Sequence, residues 1–199
     1  LDDAKRDFLF LKSLDLQEAP IVRSNALYCI VQYHLIAGDF DEAWRIAKSE
    51  WKYLGKNSIF MIQVTRTYWH ELRGRTALAK LEKSGQSAEL VADVRKCIRG
   101  LDRIGTSWAR AYAYSLGAGL CFQLKDVEGA VLQLELASKH FASLGNRLAE
   151  SFTDKIAKRL RLKNDTQDYF ADRARHELSK VSIEYGYGYF PGFRKLLES

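Results

Sequence analysis

Two stretches begin as helical zinc sites do and then depart from the pattern at the decisive residue. His70-Glu71-Leu72-Arg73-Gly74 and His176-Glu177-Leu178-Ser179-Lys180 both open with His-Glu. In a His-Glu-x-x-His site, two imidazoles one helical turn apart grip the metal and the glutamate takes a proton from water. Gly74 and Lys180 stand where the second imidazole is needed, so neither stretch is a metal site. The four histidines and three cysteines show no other close ligand spacing. Cys29, Cys97 and Cys121 are odd in number and fall on helical faces, which reads as buried free thiols in a reducing compartment. Gly117-Ala118-Gly119 lacks both the third glycine and the preceding strand of a dinucleotide loop, which leaves helix packing. No lysine follows a glycine-rich phosphate loop, and no nucleophile has an identifiable base. Asp41-Glu42 sits at a helix start, where carboxylates oppose the positive end of the dipole. The expectation is a chain with no catalytic residue, no cofactor and no metal, whose chemistry is binding.

The elements that position such a surface are helices. From Ser107 to Leu144 the chain reads as one helix-turn-helix unit. Val127, Ala130, Val131, Leu134, Ala137, Phe141 and Leu144 recur at three- and four-residue steps, which places them on one helical face. The helix before them carries Ala111, Ala113, Ser115, Gly117, Ala118 and Gly119 among larger residues, and small side chains let a second helix come close. Lys125-Asp126 is the turn between them, and Gly145 supplies a left-handed stop. Such a pair cannot bury its apolar surface alone and needs neighbours. Asn25 to Gly55 repeats the plan, with Ala43, Trp44, Ala47, Trp51 and Leu54 on one face of its second helix. The punctuation Leu54-Gly55 returns as Ile104-Gly105 and Leu144-Gly145, at steps of about 50 and about 40 residues.

In order, Asp2 to Leu14 reads as the last helix of a preceding repeat, so that residues 1–20 end one unit. Helix pairs follow at 23–55, 57–105, 107–145 and 147–182. The second pair starts with Asn57 as N-cap and runs on through Met61, Val64, Tyr68 and Leu72, past Gly74, to Lys83. Helices Ala88 to Ile104, Arg147 to Leu162 and Gln167 to Val181 complete the set. Residues 183–199 are rich in Tyr and Gly, and Tyr185, Tyr187, Tyr189 and Phe190 read either as a cap over the last pair or as a docking strip. The whole of 1–199 is expected to be one all-α domain.

Gly38-Asp39-Phe40-Asp41-Glu42-Ala43 and Lys125-Asp126-Val127-Glu128-Gly129-Ala130 resemble the turn of tetratricopeptide repeats. The order QVTRTYWHELRGRTALA, then WARAYAYSLGAGLCFQLKDVEGAVLQLELASKHFASLGNRLAE, is similar to the C-terminal helical region of large bacterial serine/threonine kinases that also carry an ATPase module. That likeness covers about residues 20–195 and departs most in the tail; none of the kinase or ATP-binding motifs is present. It implies a right-handed array of antiparallel helix pairs, an α-solenoid, acting as a noncatalytic interaction or regulatory module of a signalling protein.

In such arrays the first helix of each pair lines a concave groove. The groove candidates are Asn25, Tyr28 and Gln32 in one repeat and Tyr112, Ser115, Phe122 and Gln123 in a later one. Arg66, His70 and Arg73 join them from the middle helix, on what reads as its polar side. This mix suits a peptide or partner helix, with arginine taking carboxylates; the competing reading makes the tyrosines interhelix packing and the arginines solubilising charge. The partner is a protein or peptide, including other domains of the same parent chain.

The net charge of +6, from 31 basic and 25 acidic residues, is mostly interspersed. Its densest part is Lys155, Lys158, Arg159, Arg161 and Lys163, which reads as a solvated helix face or as a phosphate-binding or acidic-partner surface, the alternative function being a nucleic-acid-binding helical repeat. No run approaches the about 20 apolar residues of a membrane helix, and no signal peptide is visible. With its opening Leu1, the chain reads as a cytoplasmic fragment of a longer protein.

Overall fold

Within residues 9–10, 19–85 and 87–165, which the computed structural model describes, every regular element is helical. The order is α1 Pro20–Ile36, α2 Phe40–Leu54, a 3-10 turn Ser58–Met61, α3 Gln63–Ser84, α4 Ala88–Ile104, α5 Ser107–Gln123, α6 Val127–Ser143 and α7 Arg147–Asp165. Of the expected helix Asp2 to Leu14 only Leu9 and Phe10 are described, and both are helical. The expected helix Gln167 to Val181 and the segment 183–199 lie outside the described residues.

One turn is used three times. At Gly38-Asp39, Lys125-Asp126 and Gly145-Asn146 the first residue has positive φ (77°, 67° and 68°). The N–H of the second residue reaches back five residues in each case, Asp39 to the His34 carbonyl, Asp126 to Cys121 and Asn146 to Phe141, at 2.9, 2.9 and 3.0 Å. That is the six-to-one bond of a Schellman stop. The same second residue then caps the next helix: the side chains of Asp39, Asp126 and Asn146 accept from the N–H groups of Glu42, Gly129 and Ala149. Two residues therefore end one helix and begin another.

Three sequence expectations about helix ends need correction. The first helix begins at Pro20 rather than after it, because a proline at the first helical position forfeits an N–H that has no intrahelical acceptor. Asn57 does not start a continuous long helix. Its side chain donates to the Tyr53 carbonyl of the helix behind, and the extended Ile62 separates the 3-10 turn from α3. Gly55 is right-handed, at φ −63°, unlike Gly105 and Gly145.

Consecutive helices pack on one another, and α3 also touches α1 and α5. Val31, Leu35, Ala43, Ala47, Leu54, Trp69 and Leu72 fill the space between α1, α2 and α3. Leu78, Leu90, Val94, Leu101, Leu116 and Leu120 join α3, α4 and α5. Ala130, Leu134, Phe152, Ile156 and Leu160 join α6 to α7 around Ala118. Gly74 explains why a glycine survives inside α3: a Cβ there would fall 2.5 Å from Leu116 Cδ1 and 3.2 Å from the Cys97 Cβ. It is the point where α4 and α5 press on α3.

Candidate interaction surface

A row of aromatic rings crosses α1, α3 and α5. Tyr28 of α1 lies 5.7 Å from Tyr68 of α3, Tyr68 lies 5.5 Å from Trp108 of α5, and Trp108 lies 6.3 Å from Tyr112, one turn further along α5. The interplanar angles, 59° to 74°, are tilted or edge-to-face, the arrangement that ring quadrupoles favour. Tyr68 is 41% exposed and the other three are half-buried, so the row meets solvent chiefly at Tyr68 while its rings brace one another.

Polar groups border the row. Gln32 donates its amide to the Tyr28 hydroxyl at 3.0 Å. Glu71 and Arg75, one turn apart on α3, form an ion pair at 2.9 Å. Burial, followed by the neighbouring Glu71 carboxylate, pushes the Tyr28 phenol up to about 12. Burial also raises the Glu71 carboxyl, against the pull of Arg75. At neutral pH the phenol is therefore a neutral hydrogen-bonding group on a predominantly aromatic surface.

The structure gathers some of the anticipated residues here and disperses others. Tyr28, Gln32 and Tyr112 belong to the row, and Asn25 is exposed on α1 one turn before Tyr28. Tyr112 also packs against Phe141 at 5.9 Å, so it serves the core as well. Ser115 spends its hydroxyl on the Ala111 carbonyl, 2.9 Å away. Phe122 packs on the α5–α6–α7 core, and Gln123 is half-buried.

The start of α3 departs from the sequence reading, although Leu72, the last residue of the expected stripe, is buried as expected. Met61 in the turn before it is 79% exposed, and Val64 and Tyr68 are exposed too, although they read as its packing stripe. His70 and Arg73, which read as its polar side, are buried, and Arg66 is half-buried. His70 lies 4.7 Å from the Trp51 ring of α2, and Arg73 bonds Asp93 of α4 at 2.7 Å. The middle helix is covered by α2, α4 and α5 together; Arg73 finds its partner inside, and the open strip is left to Val64 and Tyr68, with the largely buried Glu71–Arg75 pair beside it. Sequence reasoning missed Tyr68, Trp108, Glu71 and Arg75. Their signal was the three- and four-residue spacing 64, 68, 71, 75 on α3 and 108, 112 on α5.

Other chemistry-bearing residues are placed singly or in pairs. Ser107 Oγ is 3.1 Å from His140 Nδ1, and the imidazole stacks on Tyr114 at 5.4 Å. Among the described residues no carboxylate is hydrogen-bonded to that ring, so the pair ties the start of α5 to the end of α6 without the orienting group of a nucleophilic site. No group of three or more His, Cys, Asp or Glu that could hold a metal occurs among the described residues. Cys97 is buried and Cys121 half-buried, but Cys29 is exposed, contrary to the expectation of three buried thiols. In the basic stretch Lys155 is exposed, Lys158 pairs with Asp154 at 2.7 Å, Arg159 is buried, and Arg161 bonds Glu135 of α6. These positions do not form one free cationic face. No described helix is long and apolar enough to cross a membrane.

No protein-family model, curated protein or solved structure matches the chain.

Proposed function

We propose that the chain is a noncatalytic interaction module which takes an extended peptide or partner helix along the row Tyr28, Tyr68, Trp108 and Tyr112. The observation that carries this reading is that the row spans α1, α3 and α5, which the reading takes as the first helices of three successive pairs, and stays open at Tyr68. Aromatic rings contribute large contact areas with few rotatable bonds, which is why they dominate binding surfaces. In this reading the pairs stack as a right-handed, tetratricopeptide-like array within a bacterial signalling protein. The contacts of α3 with both α1 and α5, and the turn repeated at Gly38, Lys125 and Gly145, support that stacking. The nucleic-acid alternative has less support, because the basic stretch on α7 is interrupted by the buried Arg159 and by ion pairs with Asp154 and Glu135.

The test uses the whole chain and a fluorescence-anisotropy screen of helical and extended peptides, comparing Tyr68→Ala with Lys139→Ala, an exposed α6 position away from the row. Binding that falls tenfold or more in Tyr68→Ala and stays unchanged in Lys139→Ala supports the surface. Equal binding by both variants removes it.

A further inference from the structure

His70 has been displaced from the candidate surface into a place that has its own consequence. Its imidazole lies where four elements meet. Trp51 of α2 stands edge-on at 4.7 Å, and Phe60 of the 3-10 turn is 6.2 Å away. On α4 the ring occupies the space a side chain at Gly100 would need: a Cβ there would fall 2.0 Å from His70 Cε1 and 2.4 Å from both ring nitrogens. Nδ1 is buried and has no hydrogen-bond partner. The ring is thus a neutral wedge cut to fit a glycine.

Among the described residues, the charged groups that act on this ring are cations. Arg66 and Arg73 come from α3 itself and Lys96 from α4, while α2 and the 3-10 turn present the uncharged Trp51 and Phe60. Asp93 of α4 is engaged by Arg73 at 2.7 Å. A proton on His70 would put a donor at Nδ1 where no acceptor waits, and a positive charge among three others. Burial, ahead of Arg66, Arg73 and Lys96, accordingly holds the pKa down at about 4.

We propose that His70 is a proton-operated latch: the neutral ring closes the junction of α2, the 3-10 turn, α3 and α4, and protonation opens that junction ahead of the α6–α7 core. The sign follows from linkage. The folded-state pKa lies below the ordinary histidine value of 6.5, so the latch is at full strength above pH 6.5 and weakens as pH falls toward about 4. One proton bound only by the open form weakens closure about tenfold per pH unit across that window. The opening is local because Ala130, Leu134, Phe152 and Ile156, which hold α6 to α7, belong to a separate cluster.

Two measurements on the full chain test it. Proton NMR of the His70 ring should show a midpoint near pH 4, and a midpoint between 6 and 7 would overturn the latch. Amide exchange, corrected for intrinsic rate, should rise about tenfold per pH unit below 6.5 in residues 96–104 and the 3-10 turn, with α6 and α7 unchanged. Exchange that rises equally in α6 and α7, or nowhere, also overturns it. His70→Gln should abolish the local pH dependence. Gly100→Ala should expel the ring and return its midpoint to the ordinary range; should either variant fail to fold, the wild-type titration alone decides.

Discussion

Arg73 and Asp93 meet at 2.7 Å between α3 and α4 with side chains only 8% and 14% exposed, and the Arg73 guanidinium lies 4.9 Å over the Trp51 ring of α2. One cation thus joins three helices. Removing either partner leaves the other charge buried, so Arg73→Ala or Asp93→Ala should cost about 3–5 kcal/mol. The double change Arg73→Met with Asp93→Leu should recover much of that loss, since an apolar pair of similar volume needs no desolvation. Urea midpoints of the three variants check it; a double variant as unstable as the worse single one would refute the account.

Two helical glycines should respond oppositely to alanine. Glycine-to-alanine inside a helix gains about 1 kcal/mol of propensity. At Gly74 the new Cβ meets Leu116 Cδ1 at 2.5 Å with Cys97 behind it, and both neighbours are buried, so overpacking of about 1–3 kcal/mol wins. At Gly117 it meets only the tip of half-buried Gln133, Oε1 at 2.6 Å, which can swing aside. Gly74→Ala should lower the melting temperature and Gly117→Ala should hold or raise it.

These two glycines also mark how far the sequence could be read. Helical class, the ends of α4 and the turns at Asp39 and Asp126 follow from local signals: spacing of apolar residues, capping side chains and turn residues. The faces of α3 do not. Its periodicity offered Met61, Val64, Tyr68 and Leu72 as the inward stripe, and the structure buries Leu72 but turns Val64 and Tyr68 outward and buries Thr67, Trp69, His70, Arg73 and Thr76 beside it. A helix covered from several sides loses its amphipathic contrast, and only the partners, Asp93 for Arg73 and Gly100 for His70, reveal which polar residues go inside. Those partners lie 20 and 30 residues away in sequence, beyond the reach of local pattern.

Tyr28 provides a pH test at the opposite end of the scale. Its phenol is raised from 10 to about 12, by burial first and the Glu71 carboxylate second. A raised folded-state pKa means that the stabilisation is complete below pH 10 and is lost as pH climbs from 10 through about 12. Absorbance at the phenolate band should show one tyrosine ionising late, and Tyr28→Phe should delete that late step. Glu71→Gln should move it to lower pH. A titration in which Tyr28→Phe removes an ordinary step near pH 10 would contradict the placement of Tyr28.

The repeated turn gives the last prediction, which turns on one residue being the odd member of a set. Gly38, Lys125 and Gly145 hold the same left-handed position with the same backward hydrogen bond, and only Lys125 carries a side chain there. For an ordinary residue that conformation costs about 1–2 kcal/mol, because Cβ crowds the following carbonyl. Lys125 is exposed, so little packing is lost with its side chain. Lys125→Gly should therefore stabilise by about 1 kcal/mol, the strain relieved being larger than the added unfolded-state entropy. Gly145→Ala should destabilise by a similar amount even though no atom lies within 4 Å of its would-be Cβ, because there the penalty is conformational and not steric crowding by neighbours. Gly55, at φ −63° with only the Trp51 carbonyl at 3.4 Å, should accept alanine without loss. Thermal melts of the three variants should rank Lys125→Gly above wild type, Gly55→Ala level with or slightly above it, and Gly145→Ala below; a Lys125→Gly variant that melts lower than wild type would mean the lysine side chain makes a contact worth more than the strain.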